Sequence, residues 1–142
     1  MDLVVDTNIL YSYFWKKSIT RKILMNQKIK LYSPEYALEE IKDHKKNIIE
    51  KTRITESEFT RLRQDLAIAV QFISTDDYKE FLPKALQFCP DPNDIDFLAL
   101  SLKLKHPLWS NDSRLKHQNA VLILSTKELI SKSEFAEAFF QE

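Results

Sequence analysis

Short apolar runs alternate with longer amphipathic stretches along the whole chain. Leu3-Val4-Val5 is a brief β-branched run, the mark of a buried strand. Asp6-Thr7-Asn8 ends it, with Asp6 or Thr7 as cap of an apolar helix from Ile9 to Trp15. A second short helix is expected over Thr20–Asn26. Lys30–Ser33 reads as the next strand, stopped by Pro34, which also suits the first turn of a helix over Glu35–Lys51. That helix places Ala37, Leu38, Ile41 and Ile48 to one side. Thr55 caps a helix over Glu56–Ala69, a strand covers Val70–Ser74, and Thr75 or Asp76 caps a helix through Leu86. Cys89-Pro90-Asp91-Pro92-Asn93 breaks the chain. The stretch Asp94–Lys105 is apolar on two sides, Ile95, Leu98 and Leu102 on one and Phe97, Leu100 and Leu104 on the other, so it predicts a central, covered helix. Strands follow at Leu108–Ser110 and Val121–Leu124, then helices at Thr126–Ser131 and Glu134–Gln141. This alternation predicts one α/β domain over residues 1–142, a mainly parallel sheet covered by helices on both faces.

Composition narrows the function. The 142 residues contain no glycine. A P-loop, a GxGxxG turn, a GxSxG elbow and a glycine-rich kinase loop are therefore excluded. Cys89 is the single cysteine, so neither an intrachain disulfide nor a cysteine-based zinc site can form. His44, His106 and His117 lack the spacing of a histidine metal motif. The apolar runs reach only about five residues, far short of a membrane span. No signal peptide is legible at the N-terminus, which places the protein in the cytoplasm by default.

Acidic and basic residues balance at 21 each, but not locally. From Thr7 to Pro34 there is no acid, while Lys16, Lys17, Arg21, Lys22, Lys28 and Lys30 fall there. Such a block either attracts an anionic partner or is a solvated face neutralised elsewhere in the fold.

The acids fall at telling places. In open parallel sheets, ligands bind beyond the carboxyl ends of the strands. Asp6 and Asp112 end predicted strands, Asp94 starts the central helix, and Glu39 and Glu40 lie on the helix after strand two. Any one Asp at such a position serves most simply as a helix cap. A set of them at one rim repels itself and calls for a cation, and with no cysteine or histidine cluster that cation is a hard one, Mg²⁺ or Mn²⁺. Helix phase separates Glu39 from Glu40: Glu40 borders the Ala37–Ile41–Ile48 face and Glu39 points away. His44 lies one turn beyond Glu40 on the same side. Phase does not choose between Asp94 and Asp96, which fall in opposite polar gaps of the central helix; Asp96 has Lys103 as a plausible neighbour.

The segments VVDTNIL (Val4–Leu10), SPEYALEEI (Ser33–Ile41) and DPNDIDFLALSLKLKHPLWSND (Asp91–Asp112) resemble a PIN domain, most closely the single-domain, VapC-like toxins of prokaryotes. The resemblance runs from Leu3 to about Ile130. It implies a three-layer α/β/α fold and a metal-dependent endoribonuclease. Its acids map onto Asp6, Glu40, Asp94 and Asp112, with Asn8 and Ser110 in support. Asp91 and Asp96, around Asp94, double the family's third acid. Lys16, Lys17, Arg21 and Lys22 become candidates for RNA backbone contact, as do Arg114 and Lys116. Trp109 and Phe97 are expected in the core. The resemblance further implies a small antitoxin partner and a homodimer.

Two other classes compete. One is a non-catalytic RNA-binding scaffold of the same fold. The other is an aspartyl-phosphate enzyme or receiver, disfavoured because Asp6 is followed by Thr7 and Asn8 and not by the DxDx[TV] pattern.

Overall fold

The computed structural model describes residues 1–16, 18–26 and 28–132. The predicted helix at Glu134–Gln141 and the candidate Lys17 lie outside them. Strand β1 (Asp2–Val5) leads into α1 (Thr7–Tyr11), a 3-10 turn at Ser12–Phe14 and α2 (Ile19–Leu24). Strand β2 (Lys30–Pro34) follows, then α3 (Glu35–Asp43), α4 (Lys45–Thr52) and α5 (Glu56–Ala69). Strand β3 (Val70–Ile73) precedes α6 (Thr75–Tyr78), a 3-10 turn at Lys79–Phe81 and α7 (Leu82–Phe88). A 3-10 turn at Pro92–Asp94 opens α8 (Ile95–Leu104), followed by β4 (Leu108–Trp109) and a 3-10 turn at Ser113–His117. Strand β5 (Ile123–Leu124) and α9 (Thr126–Ser131) complete the order.

The five strands form one sheet in the order β3-β2-β1-β4-β5, and every pairing is parallel. Helices cover both faces, giving three α/β/α layers. Leu3, Val4 and Val5 on the middle strand are fully buried, each side chain contributing about 1.5–3 kcal/mol of burial. The central helix α8 buries Phe97, Leu98, Ala99, Leu100 and Ser101 without a break, consistent with its two-sided apolar pattern. Trp109 and Phe97 are core residues.

The connections run outward from β1 in opposite directions, to β2 and β3 on one side and to β4 and β5 on the other. The reversal between β1 and β4 opens a crevice at their carboxyl ends. Val5 is in register with Trp109, so Asp6 and Ser110 stand level at that edge.

Two predicted helices are broken. The stretch expected over Glu35–Lys51 divides at His44, whose backbone leaves the helical region and whose Nδ1 sits 2.8 Å from the Glu40 carbonyl oxygen. The Glu40 carbonyl also accepts the His44 backbone N–H at 3.0 Å, so the side chain joins the cap at the end of α3, and α4 restarts to pack against α5. The stretch expected through Leu86 breaks after Tyr78, because Pro83 belongs in the first turn of a new helix, α7. Its cap is Ser74, not Thr75 or Asp76. The helix expected at Ile9–Trp15 ends at Tyr11 and tightens to a 3-10 turn, and β5 retains only the last two residues of its predicted range.

Candidate metal centre

A cavity of about 320 Å³ occupies the crevice. Asp6, Glu40, Asp91, Asp94, Asp112 and Arg114 supply its charged lining. Volume does not set it apart, since a cavity of about 310 Å³ lies at Ser101, His106 and Val121. Its concentration of carboxylates does. No histidine or cysteine lines it among the described residues.

Asp6 is the first residue past β1 and caps α1, its Oδ1 accepting the Ile9 N–H at 2.9 Å. The residue is only 6% exposed. Burial pushes its carboxyl up from the ordinary range, and Asp112 adds to this. Hydrogen bonds from the Ser110 hydroxyl and from backbone N–H groups work the other way. Ser110 is itself buried and accepts the Asp112 N–H at 3.1 Å, so one hydroxyl links the first acid to the last. Asn8 lines the same wall.

Glu40 enters from α3, where its Oε1 accepts the Thr7 hydroxyl at 2.9 Å. Glu39 faces outward beside Lys42 at 3.9 Å. Tyr36, one turn before Glu40, also lines the cavity and meets Phe97 edge-on at 6.5 Å. The sequence pattern offered Thr7 only a capping role and did not single out Tyr36, although Tyr36 stands four residues before Glu40 and therefore on its face.

Asp94 closes the 3-10 turn ahead of α8, yet its side chain makes no capping bond there. The cap reading thus fails for this residue. Burial first, then the charges of Asp91, Asp112 and Asp6, raise its carboxyl to about 6, against a smaller pull from Arg114. Asp96 turns elsewhere and accepts the Tyr78 hydroxyl. The neighbour expected for it, Lys103, pairs instead with Glu80 at 3.1 Å. Asp91, the other doubled acid, does reach the cavity.

Asp112 caps the 3-10 turn that follows it through the Arg114 N–H at 3.0 Å. The Arg114 side chain also forks onto it, Nε to Oδ1 at 3.1 Å and Nη2 to Oδ2 at 2.8 Å. These contacts hold the Asp112 carboxyl below its usual range. Arg114 Nη2 lies 3.7 Å from Asp91 as well.

The other described basic candidates, Lys16, Arg21, Lys22 and Lys116, do not line this cavity. Lys16 faces Glu58 at 3.6 Å, Arg21 lies over the Tyr13 ring at 5.1 Å, and Lys22 projects from α2. Lys116 pairs with Glu128. His44, expected near the site, lines a separate cavity of about 260 Å³ with Tyr11 and Trp15.

Among the described residues, no three histidine, cysteine, aspartate or glutamate side chains are grouped closely enough to hold a metal ion as they stand. The donor set nevertheless fits a hard divalent cation. It is all oxygen, it crowds carboxylates that repel one another, and Asp94 brings an oxygen pair that no cap consumes. No helix among these residues is long and apolar enough to cross a membrane.

Comparison with known proteins gives the family and the fold. The family model described as PIN domain matches residues 4–132. The chain belongs to the PIN domain family. No curated protein matches the sequence. Among solved structures, it is similar to a chain of VapBC2 from Rickettsia felis, determined bound to a DNA fragment from their promoter. The TM-score is 0.62 at 14% identity, over 88% of this chain and 98% of that one. At that identity the likeness is one of fold.

Proposed function

We propose that the protein is a metal-dependent endoribonuclease that hydrolyses phosphodiester bonds of RNA. The observation that carries this reading is Asp94, a side chain with no cap to make, driven to about 6 by burial and three other carboxylates around one cavity. Asp6, Glu40, Asp94 and Asp112 would hold Mg²⁺ or Mn²⁺. Bound there, the ion supplies Lewis acidity to a phosphodiester and lowers the pKa of an attacking water. The chain's own residues do the positioning. Thr7 fixes Glu40, Ser110 spans Asp6 and Asp112, and Asn8 offers an amide at the rim. Arg114 offers a guanidinium fork to a phosphate. Lys16, Lys17, Arg21, Lys22 and Lys116 would serve RNA farther from the cut. The VapBC2 likeness supports reading the chain as the toxin of a toxin–antitoxin pair with a small antitoxin partner. A cytoplasmic location and a homodimeric state belong to the same reading and rest on the sequence and its resemblance alone.

A non-catalytic RNA-binding scaffold is the second reading, favoured by one observation: Arg114 already neutralises Asp112. Cleavage of single-stranded RNA separates the two. Wild type with Mg²⁺ or Mn²⁺ should cut and chelator should stop it. Asp6→Asn, which retains a good helix cap, should lose at least about 100-fold. Equal cleavage by Asp6→Asn would remove the catalytic assignment.

A further inference from the structure

The geometry points to Arg114 as a guard of the metal centre: its guanidinium holds Asp112 against cation binding, and a divalent ion reaching Asp112 releases it to a phosphate. This rests on the cavity being a divalent-metal centre.

The lone pairs of Asp112 are nearly all taken. A carboxylate oxygen has two acceptor positions. Asp112 Oδ1 spends both on Arg114, one on the backbone N–H and one on Nε. Oδ2 spends one on Nη2. A cation that needs Asp112 finds a single lone pair, beside a positive charge 2.8 Å away. The same guanidinium leans on Asp91, which also lines the cavity. One positive charge therefore spans two anions of the site, held closely by Asp112 and more loosely by Asp91.

Arg114 is built to let go. Its side chain is 63% exposed, whereas that of Asp112 is 24% exposed. The acid is fixed by its cap and by its N–H on Ser110, while the arginine head sits at the rim. An exposed pair of this kind is weak enough to exchange partners. A guanidinium turned away from Asp112 stays tethered two residues from it, at the mouth where a phosphate enters, and its fork matches phosphate as well as carboxylate. Metal entry and phosphate capture then become linked steps.

The test is Mn²⁺ affinity without RNA, by calorimetric titration of the full chain and of Arg114→Gln, Arg114→Lys and Lys42→Gln. Arg114→Gln should bind Mn²⁺ about three- to tenfold more tightly, the release of one exposed bidentate pair. Arg114→Lys, which keeps the charge but not the fork, should fall between. Lys42→Gln removes the same charge from the outer side of α3 and should match wild type. With Ca²⁺ in place of Mn²⁺, Arg114→Gln should bind single-stranded RNA more weakly. Unchanged or weaker Mn²⁺ binding by a folded Arg114→Gln overturns the guard. So does equal tightening by Lys42→Gln, which would reduce the effect to net charge. If neither wild type nor Arg114→Gln binds Mn²⁺, the metal-centre reading fails along with it, and unaltered RNA binding in that case would leave the scaffold.

Discussion

The Thr7 hydroxyl donates to Glu40 Oε1 across 33 residues of sequence, at 2.9 Å. It ties the helix after β1 to the helix after β2 and fixes a carboxylate at the crevice. Thr7→Val keeps the shape and removes the donor. RNA cleavage should fall about tenfold while the melting temperature drops by only about 2–4 °C, since one partly exposed hydrogen bond is worth about 1 kcal/mol. Thr7→Ser should restore most of the rate. A Thr7→Val protein as active as wild type would show that Glu40 needs no anchor.

Glu40→Gln should lose at least about 100-fold in cleavage, and Glu39→Gln should remain within about twofold. The two neighbours differ in what they face. Glu40 lines the cavity, and Glu39 lies beside Lys42 at the surface. Single-turnover rates of both variants on one RNA check the order, and equal losses would contradict it.

Asp94 gives a pH signature. Its folded carboxyl titrates near 6 against 3.8 ordinarily, so the folded chain holds that proton more tightly than the unfolded one. Ionising it opposes folding, and the penalty grows as pH rises from about 4 to about 6. In chelator, Asp94→Asn should therefore match wild type below pH 4 and melt higher above pH 6. Solvent screening at this half-buried position leaves about 1 kcal/mol, or about 2–4 °C. Added Mn²⁺ should reverse the order, because only wild type gains the ligand's stabilisation. A melting-temperature series across pH 4–7.5, with and without Mn²⁺, reads both effects.

Neutralising Lys16, Lys17, Arg21 and Lys22 should weaken RNA binding and flatten its salt dependence. The ceiling is about 0.7 in logarithmic slope for each phosphate that is no longer neutralised. Lys16 already faces Glu58 and Arg21 already covers Tyr13, so the change should stay below that ceiling. Titrations at several salt concentrations with Ca²⁺ measure it. An unchanged slope would make this stretch a solvated face.

Gln118 is buried between the turn that carries Arg114 and β5. Its Nε2 donates to the Leu115 and Val121 carbonyl oxygens and its Oε1 accepts the Val121 N–H, at 2.8–2.9 Å. Gln118→Leu fills the space but strands those groups. It should cost about 2–3 kcal/mol, about 4–12 °C in thermal melting. A melting temperature within about 2 °C of wild type would mean that water replaces the amide at little cost.

The sequence alone determined what local chemistry determines. β-branching marked β1, the stop at Pro34 marked β2, and helical period marked α8, because buried strands and covered helices need such residues wherever they sit. An Asp at the end of a short predicted strand marked Asp6 and Asp112 as edge residues, and the 100° step of a helix separated Glu40 from Glu39. Tertiary structure decided the rest. α3 ends at His44, whose backbone leaves the helical region, a break that apolar periodicity does not register. Asp96 goes to Tyr78, and Lys103 to Glu80, through contacts spanning 18 and 23 residues. Asp91 joins the cavity and Arg114 spans it to Asp112 only because the strand order reverses between β1 and β4, bringing the loop before α8 against the turn after β4. A linear pattern records which side of its own element a residue faces. It does not record which other element arrives opposite, and charge pairing at the crevice depends on that arrival.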